Sequence, residues 1–186
     1  DWELINQYVL ENHTGGKPVY AQEMFWPGNY LHHVSDPENI RKEAYVLLFS
    51  AAAINFADME GNSSSGFSGN MHLPDRYQEW HDIMKAAWDW FETIPFYKTK
   101  PRQDLVTSGY CLAQEDSLYM IYYPEIRYTG SLNLSSATGE FTGTWYDPGS
   151  GQGTGTSTVI YGGEELQPVP PEMLSGDGIL VLQRKG

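Results

Sequence analysis

Two patterns predict α/β units on a parallel sheet followed by a small antiparallel β-sandwich. Up to residue 103, helical periodicities alternate with short apolar segments in the order helix–strand–helix–strand–helix, the arrangement of βα units. From residue 104 the helical period stops, and six short strand-like segments recur at roughly ten-residue spacing between turn clusters, the pattern of a sandwich. The expected domains are therefore 1–103 and 104–186.

The opening segment, DWELINQYVLEN, puts Trp2, Ile5, Val9 and Leu10 on one helical face. It lacks an initiator Met and starts as if inside a helix, so Asp1 is read as a boundary within a longer polypeptide. KPVYAQE is a short strand that runs into Glu23. SDPENIRKEAYVLLFSAA carries helix-start signals: Ser35 as N-cap, Pro37 in the first turn, and Glu38 completing a capping box. AINFAD reads as a buried strand, followed by the polar loop MEGNSSSGFSGNMHLP. In DRYQEWHDIMKAAWDWFETI, Tyr77, Trp80, Met84, Ala87, Trp88 and Phe91 follow helical spacing. The later strands are expected in LVTSGYCLA, SLYMIYYP, IRYTGSLNL, EFTGTWYDP, TSTVIYGG and GILVLQRK.

Composition is globular, with 40% hydrophobic and 19% charged residues, and 13 Tyr with 6 Trp suggest stacking surfaces as well as core. A net charge of −13 with only 11 Lys and Arg argues against nucleic acid and anionic membrane partners. A neutral substrate such as a sugar fits that charge best. Cys111 stands alone, so no intrachain disulfide forms, and its apolar neighbours make it a small core hydrophobe. No stretch approaches the length of a membrane span. Hydrolase elbow, phosphate loop and dinucleotide fingerprint are all missing from the sequence, and no cofactor is expected.

Chemistry in βα folds gathers at the carboxyl ends of the strands, where Glu23 and Asp58 fall. Glu23 reads either as a catalytic carboxylate or as the partner of a cation at a loop mouth. Trp26 and Tyr30, in the loop after it, either stack on sugar rings or plug the fold as packing. His32 either bonds a sugar hydroxyl or stands solvated; its neighbour His33 cannot join it in a helical metal site, so no metal is expected there. Asn55, Asp58 and Glu60 contact substrate hydroxyls, ligate a structural calcium or cap their loop; no metal enters the expected site. In the sandwich, Trp145 and Tyr146 form a sugar platform or pack at a strand end against the first domain, braced by Tyr119, Tyr122 and Tyr123.

GTWYDPGSG and GGEELQPVPPEMLSGDGILVLQRKG resemble the end of apiosidase-like glycoside hydrolases, with their Trp-Tyr-Asp/Asn-Pro turn, Pro-Pro segment and apolar last strand. In that family a (β/α)8 (TIM) barrel precedes a β-sandwich that carries an old collagen-binding label. ETIPFYKTKPRQDLVTSGYCLAQEDSLYMIYYPE resembles the crossing between the two. KPVYAQEMFW resembles the strand bearing the family's Glu, and RKEAYVLLFSAAAINFAD the helix and last strand after it. The chain departs from the family's Gly-Glu-Pro by having Gln22-Glu23-Met24. The resemblance implies the last βα units of a barrel followed by a sandwich, in a secreted or periplasmic bacterial glycosidase acting on plant or algal saccharides. It makes Glu23 the nucleophile, and it implies an acid/base partner in a missing N-terminal barrel portion. A barrel takes about 250 residues, so this chain by itself is expected to be inactive. A noncatalytic carbohydrate-binding or scaffolding module is the alternative.

Overall fold

The computed structural model describes residues 2–13, 17–21, 36–54 and 75–186. It is a mixed α/β structure with three α-helices and a sheet-rich second half. The first part contains α1 (Trp2–Asn12), β1 (Val19–Ala21), α2 (Pro37–Phe49), β2 (Ala52–Ile54) and α3 (Asp75–Glu92). β1 and β2 pair in parallel, from Val19 opposite Ala52 to Ala21 opposite Ile54, with α2 as the crossover.

α2 starts because Asp36, in extended backbone, accepts a hydrogen bond from the Glu38 N–H at 3.1 Å. The cap is thus one residue later than the expected Ser35. Pro37 takes the first helical position, where its missing N–H costs nothing, and that leaves Asp36 as the last non-helical residue. From Lys42 to Phe49 every residue of α2 is buried. A helix apolar on one side only would show a wet face; α2 has none there because α1, α3, β2 and the second half surround it. The helix ends at Ser50, whose Oγ donates to the Val46 carbonyl and accepts from Asn6 Nδ2 at 2.6 Å. Ala51 then adopts a left-handed φ of 61°.

The second half holds β3 (Lys100–Pro101), β4 (Tyr110–Gln114), β5 (Leu118–Tyr123), β6 (Leu132–Asn133), β7 (Glu140–Tyr146), β8 (Gly153–Tyr161), β9 (Glu165–Leu166) and β10 (Gly178–Arg184). Six of these form one antiparallel sheet in the order β3-β4-β5-β10-β7-β8, while β6 and β9 make a separate two-residue ladder. Within IRYTGSLNL only Leu132–Asn133 is strand, since Ile126–Tyr128 winds into a 3₁₀ turn. β3 and β9 were not expected from the sequence. Gly109 opens β4 at φ +80°, and a Cβ there would stand 2.7 Å from the Tyr122 carbonyl oxygen, so no other residue fits. The edges are protected: β3 ends in Pro101, and β8 is an exposed Thr- and Ser-rich strand.

Side chains alternate across the sheet, and this decides which tyrosines meet the helices. Leu118, Met120 and Tyr122 of β5 face α2 and α3, joining Tyr45, Phe49, Trp90 and Phe91. Tyr119, Ile121 and Tyr123 face the opposite layer, with Leu132, Leu134, Phe141 and Leu174. Tyr122 alone of the three expected bracing tyrosines therefore touches the helical part. Trp145 is corrected for the same reason: it lies in the far layer beside Tyr123, and its neighbour Tyr146 meets Trp90 at 5.5 Å between ring centroids.

An ionic clamp, buried at its Asp177 end and part-buried at Arg41, joins α2 to the sheet. Arg41 donates from Nη2 to Asp177 Oδ1 at 2.8 Å and from Nε to Oδ2 at 3.1 Å, and Tyr122 Oη donates to the same Oδ2 at 2.9 Å. Tyr45 stacks on Tyr122 with centroids 5.2 Å apart and donates its hydroxyl to the Pro148 carbonyl.

Candidate functional site

The parallel pair fixes where the chain leaves β1 and β2, the two strands that precede the expected site residues in sequence. Ala21 and Ile54, the last residues of β1 and β2, are register partners. Adjacent strands lie about 4.8 Å apart, so the chain leaves the pair at two neighbouring points. Gln22 and Glu23 follow the first point in sequence; Asn55, Asp58 and Glu60 follow the second. Because α2 leads into β2 through only Ser50 and Ala51, its Asp36-capped N-terminus lies at this same carboxyl end. Its dipole there favours negative charge. Glu23, Trp26, Tyr30, His32, Asn55, Asp58 and Glu60 themselves lie outside the described residues, as does the expected cap Ser35.

Among the described residues, Glu38 in the first turn of α2 lies at that end, its carboxyl held below the ordinary range by the hydrogen bond from Lys42, and other perturbed groups lie farther along the fold. Glu43, in the middle of α2, is 6% exposed, and burial raises its carboxyl from 4.5 to about 7. Its Oε1 has no hydrogen-bond partner among the described residues. The sequence gives no sign of this, because a Glu after Arg41 and Lys42 reads as part of a wet helical face. The Asp177 cluster is charged but satisfied: burial first, then the adjacent carboxylate, holds the Tyr122 hydroxyl protonated well above its ordinary range. Cys111 is buried, and burial pushes its thiol up to about 12, so it is inert as a nucleophile. Trp145, the one Trp after residue 103, is 7% exposed and offers no open platform. No group of three or more His, Cys, Asp or Glu among the described residues could hold a metal ion. No described helix is long and apolar enough to cross a membrane.

No protein-family model matches the sequence, and no curated protein matches it. Solved structures do. One, described as a glycoside hydrolase, is 16% identical with a TM-score of 0.63. Another, a glycoside hydrolase family 5 protein from Bacteroides vulgatus, is 18% identical with a TM-score of 0.60. Each likeness covers 98% of this chain but 45% of the solved chain, so this chain spans less than half the length of the structures it matches. At such identities the likeness shows the fold.

Proposed function

We propose that the chain is the carboxyl-terminal portion of a glycoside hydrolase that cleaves O-glycosidic bonds in plant or algal poly- or oligosaccharides. The observation that carries this is the adjacency, in parallel, of the two strands whose carboxyl ends lead in sequence into Glu23 and into Asn55, Asp58 and Glu60. In this reading residues 1–103 are the last βα units of a (β/α)8 barrel of the apiosidase-like kind, and residues 104–186 are its sandwich. Glu23 is the nucleophile that attacks the anomeric carbon, and the leaving oxygen takes its proton from a second carboxyl group. Retention of configuration needs the two carboxyls about 5–5.5 Å apart, and the second one comes from the N-terminal barrel portion. Trp26 and Tyr30 stack on the sugar, while His32, Asn55, Asp58 and Glu60 bond its hydroxyls. The enzyme is secreted or periplasmic in a bacterium.

What supports an N-terminal partner portion is the open surface of the first part. β1 and β2 each have one neighbouring strand among the described residues. Leu4, Tyr8 and Tyr20 are 62%, 67% and 53% exposed and line an apolar cleft of about 730 Å³ between α1 and β1.

Glu23→Gln in the full-length protein tests the assignment. Hydrolysis should fall by about 10⁴-fold or more, as when a catalytic nucleophile is removed, with an unchanged circular dichroism spectrum. Wild-type turnover by that variant overturns the role of Glu23.

A further inference from the structure

We propose that a cleft at the amino ends of β1 and β2 is a second, noncatalytic site for glycans bearing carboxylates, that is, uronate-containing saccharides. The sugar class rests on the glycosidase reading above; the anionic selectivity rests on this cleft alone. Its volume is about 640 Å³, within the range of small-ligand sites. Trp88, Phe96 and Tyr97 form one wall, and Lys17, Lys100 and His13 contribute to the rest.

The aromatic wall is open yet braced. Tyr97 is 74% exposed and Trp88 38% exposed. Phe96 contacts both edge-on, with centroids at 5.7 Å from Trp88 and 6.4 Å from Tyr97. Trp88 Nε1 is anchored on Glu92 at 3.0 Å. Held rings of this kind offer flat faces to the C–H side of a pyranose at little entropic cost.

The cations supply the selectivity. Arg41, Lys42, Lys85, Arg102, Arg127, Arg184 and Lys185 each sit on a carboxylate. Lys17, Lys98 and Lys100 have no carboxylate partner among the described residues; Lys17 and Lys100 line this cleft, and Lys98 lies next to its aromatic wall, 5.8 Å from the centre of the Tyr97 ring. In a chain of net charge −13, unpaired cations collected beside exposed rings fit a ligand that is both a sugar and an anion. A neutral glycan leaves the lysines without counter-charge, and an acidic peptide makes no use of the ring faces. The cleft lies at the strand end opposite the one leading to Glu23, so a glycan held there leaves the proposed catalytic end free.

Calorimetric titration of full-length protein with galacturonic acid oligomers, neutral galactose oligomers and polyglutamate tests this. The uronate oligomers should bind, more weakly as salt is raised, and the neutral oligomers should bind at least tenfold more weakly. Lys17→Ala with Lys100→Ala, and separately Tyr97→Ala, should each weaken uronate binding at least tenfold; all three residues are exposed, so these variants keep the fold. Turnover of a small soluble glycoside should be unaffected. Equal binding of neutral oligomers or of polyglutamate, or unchanged uronate binding by the double lysine variant, overturns the proposal. Glu23→Gln keeps uronate binding in every case, so failure of the catalytic assignment and failure of this site are read separately.

Discussion

The six-stranded sheet and the parallel pair of this molecule are finished to different degrees. In the six-stranded sheet all of β5, Leu118 to Tyr123, is buried: α2 and α3 cover one face, and Leu132, Leu134 and Leu174 cover the other. In the parallel pair Val19, Ala21, Ala52 and Ile54 pack toward the helices, whereas their alternates Tyr20 and Ala53, opposite one another in register, are exposed. Parallel sheets are normally covered on both faces. The comparison teaches that the antiparallel half is closed by its own chain, while the parallel pair has one face open among the described residues.

The largest expected effect comes from cutting the link between the two regions. Asp177→Ala leaves Arg41 and Tyr122 without their acceptor inside the interface, and it should cost about 3–5 kcal/mol by urea denaturation. Two separate transitions in that variant would show that the clamp alone makes the regions one cooperative unit. A single weakened transition would show that the aromatic layer of Tyr45, Phe49 and Trp90 suffices.

Glu43 gives the next effect, within the helical region. Its folded value of about 7 lies above its ordinary 4.5, so the folded state holds the proton more tightly than the unfolded state. Stability should therefore fall as pH rises from about 4.5 to about 7 and level off above. Glu43→Gln should remove that slope and, at pH 8, raise stability by up to about 3 kcal/mol. A slope that survives in Glu43→Gln would place the titrating group elsewhere.

The smallest effect concerns the α2–β2 turn. Ala51 carries a left-handed φ of 61°, where glycine avoids a penalty of about 1 kcal/mol. Ala51→Gly should raise the unfolding free energy by about that amount, and a loss would mean that the Ala51 methyl contributes more by packing than its backbone costs.

Much of the secondary structure was readable because it depends on neighbours in sequence. The stretch from Asp36 to Phe49 announced a helix by its cap and proline, and the error of one residue came from Ser35 and Asp36 both being good caps. GILVLQRK and EFTGTWYDP announced strands by composition and alternation. α3 was found but its face was not: Trp88 was expected inside, yet Met84, Ala87, Trp90 and Phe91 form the buried stripe. Two tryptophans two residues apart point to different sides of a helix, and only the partner surface selects between them.

The candidate site divides in the same way. The strands ahead of Glu23 and Asp58 were legible because strand signals are local, although β1 and β2 end at Ala21 and Ile54 and the two acids lie outside the described residues. The cleft of Lys17, Lys100, Trp88 and Tyr97 could not, because its members are brought together from opposite ends of the first hundred residues. By itself the sequence determined the βα order, the antiparallel strands, the low positive charge and the inert lone cysteine, since each follows from local periodicity or simple composition. The tertiary structure decided which face of β5 meets the helices, that Asp177 holds Arg41, that Glu43 is buried with its Oε1 unpartnered among the described residues, and that Lys17 and Lys100 line one cleft. Those depend on contacts between residues distant in sequence, and no local pattern encodes them.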